Sequence, residues 1–284
     1  MIRNVRHIAI SPDQNYADQG LTMLHSLVIH HPNQSFFIHV LDGGITKRQR
    51  LKYILFFLRY RVRYRFYKVS NELFTKAPVS LHISKAAYNR LLLSSIIPSN
   101  IDKILYLDCD IIINANIDEL FEININKNAL AAVEEIISVD HQNLLNFSNN
   151  QDYFNSGVLL LNLFFWREQK VEKLFFTFLE KQYDKIKYWD QDVLNYCFKN
   201  NWKKLDPKYN VTHFYFYKDV YSPEYFGISH DDYSEIISNP KIIHFTSHKK
   251  PWIEGCDHPL AYLYFKNELS LKKLIIDILL CRKR

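Results

Sequence analysis

The chain has 284 residues, 48% of them hydrophobic and 15% aromatic, with 36 basic and 30 acidic residues for a formal net charge of +6. This is the composition of a folded protein with one main domain and a substantial core, and it excludes disorder. With only six glycines and neither GxGxxG nor GxxxxGK[ST] present, no glycine-rich loop cradles phosphate, and the basic excess is too diffuse for a nucleic-acid footprint.

In chain order, Val5 to Ile10 reads as a short buried strand, and the turn cluster Ser11-Pro12-Asp13-Gln14-Asn15 leads into a helical pattern of Leu21, Leu24, Leu27 and Val28. Phe36 to Leu41 predicts a second strand, Arg48 to Leu58 a second helix and Val62 to Val69 a third strand, the alternation of a parallel sheet. Arg59, Arg61, Arg63 and Arg65 alternate and are expected on one strand face, a solvated edge, with a membrane-facing role as the alternative. Lys85 to Ile97 is expected to be helical. Lys103 to Leu107 is an apolar strand that ends at Asp108-Cys109-Asp110 and resumes as Ile111 to Ile113. Further strands are expected at Ala131 to Val133, Gly157 to Leu161 and Lys241 to Phe245, with helices at Val171 to Tyr183 and Gln191 to Phe198. Residues 207 to 240 show weak periodicity and read as loops and short elements. Leu271, Leu274, Ile275, Ile278 and Leu279, flanked by Lys272, Lys273, Arg282, Lys283 and Arg284, form a basic amphipathic helix.

The cysteines, Cys109, Cys197, Cys256 and Cys281, form no CxxC pair, so a reducing compartment is the simplest reading. No secretory signal and no apolar run of spanning length are expected, which places the protein in the cytoplasm or on the membrane's cytoplasmic face.

The strongest local chemistry is the pair Asp108 and Asp110 inside an apolar run. Ionised carboxylates in apolar surroundings are expensive unless a cation compensates them, and Mg²⁺ or Mn²⁺ leaves coordination positions open for phosphates. An ordinary acidic turn after a strand is the bland alternative. Ile242-Ile243-His244-Phe245 places a histidine at a strand end, followed by a basic turn through Lys250, Pro251 and Trp252. A histidine ligand with a phosphate-facing lysine fits a metal–diphosphate site and tilts the choice toward Mn²⁺. Leu107-Asp108-Cys109-Asp110 also fits a haloacid-dehalogenase-type phosphatase, though no Gly-Asp acidic motif follows. A non-catalytic carbohydrate-binding protein is a further alternative.

Six segments in order resemble the family 8 retaining glycosyltransferases, the group that includes bacterial lipopolysaccharide galactosyl- and glucosyltransferases and the glycogenins. They are Ile8 to Tyr16, His82 through Arg90, Leu105 to Asp110, Tyr153 to Leu163 with Trp166, Asp190 to Asn195, and His244 to Trp252, so the resemblance extends from about residue 5 to 255. It implies an α/β GT-A fold, a Rossmann-like mixed sheet with flanking helices, over residues 1–255. The C-terminal helical, basic segment over 256–284 would, by its own pattern, either touch an anionic membrane or pack on the domain, and the resemblance does not decide between them. It also implies a UDP-hexose-dependent hexosyltransferase, moving galactose or glucose to a saccharide or glycolipid acceptor in lipopolysaccharide or another bacterial surface glycan. Mn²⁺, or Mg²⁺, would be held by Asp108, Asp110 and His244. Ser11, Asp13, Asn15, Tyr16, Asp108, Cys109, Ser247 and Lys250 would face the nucleotide and its diphosphate. Arg90, Asn155, Asp190 and Gln191 would surround the donor sugar, with Asp190 and Gln191 catalytic, and His82 would meet the acceptor. Ser247 departs from the family's usual glycine, which puts the close approach of backbone to phosphate in doubt.

Overall fold

A computed structural model describes residues 5–69, 74, 85–148, 151–217, 221–246 and 248–281. Strands β1 (Arg6–Ile10), β2 (Phe36–Asp42), β3 (Arg63–Lys68) and β4 (Lys103–Leu107) run parallel, as the alternation of strands with the helices Ala17–His30 and Lys47–Tyr60 predicts. A short strand β5 (Ile111–Ile113) follows, then β6 (Leu130–Glu134), β7 (Phe154–Asn162), β8 (Trp202–Lys204), β9 (Val211–Thr212) and β10 (Ile242–His244). The main sheet has the order β3-β2-β1-β4-β7-β6-β8, with β7 antiparallel to both β4 and β6. It is the mixed α/β sheet with flanking helices that the family resemblance implies, not the all-parallel one that the alternation alone suggests. β7 is buried at every residue, as a strand covered on both faces requires. The chain order reverses between β1 and β4, and the loops leaving the C-terminal ends of those two strands border the crevice where such sheets bind ligands.

Several expectations are corrected. Ile111 to Ile113 does not resume β4; it pairs with β10 in a second sheet of order β5-β10-β9. Asp108-Cys109-Asp110 is therefore the turn between two sheets. The segment after Lys85 is a 3₁₀ helix to Leu92 before one α turn, Leu93–Ile96. Of the four arginines, Arg59 lies in the helix Lys47–Tyr60 and Arg61 caps it in the left-handed conformation (φ 53°); only Arg63 and Arg65 sit on the strand. The stretch from 207 to 240 contains a nine-residue helix, His230–Ser238, capped by the Ser229 side chain accepting from the Asp232 amide. The C-terminal helix Leu271–Cys281 rests on the domain through Leu274, which is fully buried.

Asp192 fixes the approach to the helix Trp189–Phe198. It is fully buried and accepts from the Tyr153 hydroxyl and His141 Nε2 through Oδ1 (2.7 Å each), and from the amides of Lys187 and Tyr188 through Oδ2 (2.7 and 2.6 Å). These bonds hold the chain while Trp189 takes a positive φ of 48°, a strained conformation for a bulky residue. Asp190 and Gln191 follow immediately. Replacing Asp192 by alanine strands two buried amides, a hydroxyl and an imidazole, so Asp192→Ala is expected to lower unfolding free energy by about 3–5 kcal/mol in denaturant titration. Asp192→Asn should lose less.

Candidate functional site

The crevice between β1 and β4 gathers side chains that are far apart in sequence. The amide of Asp108 donates to the Gly157 carbonyl (2.9 Å), which locks the acidic turn to β7, and the amide of Phe245 donates to the Asp110 carbonyl (3.0 Å), which locks it to β10. The antiparallel pairings of β4 with β7 and of β5 with β10 bring all three segments to one point.

Asp108, Asp110 and His244 each offer one ligand atom, and those atoms all lie within 4.8 Å of one another. His244 Nε2 is 3.1 Å from Asp110 Oδ1 and 3.9 Å from Asp108 Oδ2. Burial would raise the Asp110 carboxyl, but the charge of Lys250, joined by that of His244 when its ring is protonated, outweighs it and holds the group below the ordinary carboxylate range. Lys250 Nζ donates to Asp110 Oδ2 (2.6 Å) and also meets the Phe245 carbonyl.

A chain of hydrogen bonds sets the polarity of His244. The Gly157 amide donates to Asn155 Oδ1 (2.9 Å), which orients that side chain, and Asn210 Nδ2 donates to the same oxygen (2.8 Å). Asn210 Oδ1 is then left to accept from His244 Nδ1 (2.9 Å). In neutral His244 the proton is therefore on Nδ1, and the Nε2 lone pair points at the Asp110 carboxylate. Two acceptors 3.1 Å apart are mutually repulsive unless positive charge lies between them, so these residues fit a divalent cation. Gly157 is required here by close approach, because a Cβ built on it would lie 2.1 Å from His244 Cε1 and 2.6 Å from Nδ1.

A second network faces the first. Arg90, expected to be solvated if it were an ordinary helix residue, is 4% exposed. Its Nη2 contacts Asp108 Oδ1 (2.7 Å), Nε contacts Asp190 Oδ2 (3.0 Å), Nη1 donates to the Ser156 carbonyl (2.6 Å), and the guanidinium lies over the Tyr106 ring. Burial alone would weaken its charge, but Asp108 and Asp190 raise its pKa above the ordinary arginine value. Burial pushes the Asp190 carboxyl up to about 6, against the opposing charge of Arg90. Gln191 is fixed at both ends of its amide, accepting from the Ser156 amide (2.9 Å) and donating to Glu135 Oε2 (2.8 Å), which also accepts from Asn155 Nδ2 (3.0 Å). Burial raises the pKa of Glu135.

The first loop borders the crevice. Asp13 Oδ1 accepts from the amides of Asn15 and Tyr16 (2.9 Å each), so it shapes the turn, while Asn15 is exposed. Ser11 Oγ donates to the Ala86 carbonyl (2.8 Å). Tyr16 packs edge-on to Trp252, and burial, then the negative charges of Asp110 and Asp13, raise its hydroxyl well above its usual value. Cys109 is turned toward Gly20, and burial pushes its thiol far up, so its side chain is not a nucleophile. His82 and Ser247 lie outside the described residues. A cavity of about 410 Å³ opens at the other end of the sheet beside Arg6, His7 and Lys103, and none of its lining residues belongs to these networks.

Sequence reasoning missed Glu135, Ser156, Tyr106 and Asn210. Glu135 follows an apolar strand as Asp108 does, and that signal was available. Asn210 stands in a stretch without periodicity and carried none.

The model for the family described as glycosyl transferase family 8 matches residues 7–256. The chain is 29% identical over 265 residues to general stress protein A of Bacillus subtilis (strain 168), covering 92% of each. It is 27% identical over 271 residues to a lipopolysaccharide 1,2-glucosyltransferase of Escherichia coli, covering 93% of this chain and 78% of that protein. The crystal structure of the galactosyltransferase LgtC with donor and acceptor sugar analogues matches with a TM-score of 0.82 at 26% identity, covering 94% of this chain and 98% of the other.

Asn210 touches His244 and not the ligand oxygens, so Asn210→Ala should leave the fold intact while weakening divalent-metal affinity about 10- to 100-fold, measured by calorimetry with Mn²⁺ as probe. Unaltered affinity would show that the tautomer is set elsewhere.

Proposed function

The chain belongs to glycosyl transferase family 8 and is a hexosyltransferase, and from that premise we propose that it moves galactose or glucose from a UDP-sugar to a saccharide acceptor with retention at the anomeric carbon. The observation that carries this reading is the convergence of Asp108, Asp110 and His244 on one point, with the Lys250 ammonium beside it. The phosphatase and non-catalytic alternatives find no support in the relatives.

We assign Asp108, Asp110 and His244 to Mn²⁺, because the donor set mixes one nitrogen with carboxylate oxygens. The bound ion would supply a Lewis acid for charge developing on the departing diphosphate. Lys250, with its neighbour Asp110 occupied in that way, offers its ammonium to the same phosphates. Ser11, Asp13, Asn15, Tyr16 and the backbone at Cys109 border the crevice where the nucleotide is proposed to lie, and Ser247 is assigned to its phosphates. Arg90, Asn155, Asp190 and Gln191 are assigned to the transferred sugar, and His82 to the acceptor.

Retention is proposed to follow attack from the leaving-group side. Two features favour this over a covalent intermediate. Gln191 is an amide, a weak nucleophile, held at both ends. Asp190 Oδ2 is taken by Arg90 and by the Ser156 hydroxyl (3.2 Å). We therefore assign both to orienting and polarising rather than to attack.

The relation to a lipopolysaccharide glucosyltransferase supports an acceptor in a bacterial surface glycan. No described helix is long and apolar enough to cross a membrane. We propose a cytoplasmic enzyme whose segment 256–284 meets the anionic inner leaflet peripherally, where a lipid-linked acceptor would be presented.

UDP release from a panel of sugar nucleotides, with and without Mn²⁺, tests the reaction: metal-dependent release from UDP-galactose or UDP-glucose is expected, and release from neither would reject the donor assignment. Asp110→Asn should lower metal-dependent transfer by roughly a thousandfold. Deleting residues 270–284 should weaken binding to anionic vesicles while sparing UDP affinity, as read by sedimentation and calorimetry.

A further inference from the structure

The net charge of +6 conceals a strong segregation. Residues 47–68 contain nine basic residues and no acidic one, and residues 271–284 contain five basic residues and only Asp277. Together they hold 14 of the 36 basic residues and one of the 30 acidic ones, so the rest of the chain is net negative. The expectation of a diffuse excess is thus corrected by position.

The fold brings the described parts of these two stretches, residues 47–68 and 271–281, together. Leu274 of the C-terminal helix Leu271–Cys281 is fully buried in the core cluster that contains Tyr53, Phe56 and Phe57 of the helix Lys47–Tyr60, and the two helices pack directly on each other. On the C-terminal helix, Ile275, Ile276, Leu279 and Leu280 remain 42–59% exposed; on the helix Lys47–Tyr60, Leu51 and Leu58 are 48% and 63% exposed. Leu51 and Leu58 are seven residues apart and so share one face, with Lys47 and Arg48 exposed one turn before them and Arg61 exposed just beyond. Exposed aliphatic side chains set among cations, with Asp277 the one acidic residue in either stretch, match an anionic bilayer. Cations alone would also suit a polyanion in water, but large apolar groups left in solvent match only a partner with an apolar interior.

We propose that the membrane-docking surface is composite: the helix Lys47–Tyr60 supplies half of it, through Leu51, Leu58 and the surrounding cations, and the C-terminal helix supplies the other half. The occupant is the surface of an anionic lipid bilayer. The proposal rests on the peripheral-membrane reading given above and adds a second, internal element to it. That element also touches the crevice loop. On the side turned away from Leu51 and Leu58, Gln49 Nε2 donates to the Gln14 carbonyl (2.8 Å) and Lys52 pairs with Asp18 (2.7 Å) of the helix that follows the loop, so this helix links the proposed lipid face to the loop that borders the donor site.

The test is sedimentation of the full chain with vesicles of mixed phosphatidylglycerol and phosphatidylcholine, against pure phosphatidylcholine. Leu51→Glu with Leu58→Glu, made with the C-terminal helix intact, should weaken binding to the anionic vesicles about tenfold. An unchanged thermal midpoint and UDP affinity would show that the exposed substitutions leave the fold alone. The variant lacking residues 270–284 should keep residual binding that increases with phosphatidylglycerol content. Unchanged binding of the double variant, with the deletion abolishing all binding, would overturn the composite surface and leave the C-terminal segment as sole anchor. Failure of the unmodified chain to bind either vesicle, or binding to heparin instead, would overturn both readings.

Discussion

Three carboxylates, Asp108, Asp110 and Asp190, are carried to the crevice between β1 and β4, and the local structure is organised to keep their charge tolerable. Like charges this close and this well buried repel each other, and unpaired burial would push protons onto them. Arg90 bridges Asp108 and Asp190 from one side, and Lys250 holds Asp110 from the other, with the His244 ring alongside. Each of these partners is itself buried, which keeps the interactions strong and leaves no exposed cation free to drift away. The arrangement has one unfilled demand, the repulsion between the His244 lone pair and the carboxylates, and a divalent cation meets it.

The polarity of that demand originates in the backbone. The Gly157 amide can only donate, and this fixes Asn155, then Asn210, then the proton of His244. Asn155 in turn presents its amino group to Glu135, which shares an oxygen with Gln191. Metal ligation and the side chains assigned to the sugar are therefore two ends of one hydrogen-bonded chain, and a change at its centre reaches both. This explains why the glycine cannot be replaced: the residue that starts the chain also has to let the imidazole lie against its Cα.

Much of the sheet was legible because β1, β2 and β4 are apolar runs bounded by turn residues. The acidic turn stood out for the same reason, two carboxylates breaking such a run. What the pattern could not convey was that Ile111 to Ile113 leaves the sheet, since an apolar triplet looks the same in either sheet and only its pairing with β10 distinguishes them. The 3₁₀ conformation after Lys85 was hidden by a spacing that suits either helix type. Arg61 read as a strand residue because alternation continued through it, although the left-handed cap at that position ends the helix. Asn210 is the clearest case of information that exists only in three dimensions: it acts through a histidine 34 residues away and sits in a segment with no period.

Charge shows the same limit on a larger scale. A net value averages over the surface, and here the average is small because a basic face and an acidic remainder nearly cancel. The basic stretches are more than 200 residues apart in the sequence, and the packing of the helix Leu271–Cys281 on the helix Lys47–Tyr60 makes them neighbours. An electrostatic surface of that kind orients as well as binds, because the negative remainder is repelled by the same leaflet that attracts the basic face. The contacts of Gln49 with Gln14 and Lys52 with Asp18 then fix where the crevice loop lies relative to the lipid. The charge pattern and the helix packing together determine which direction the crevice faces.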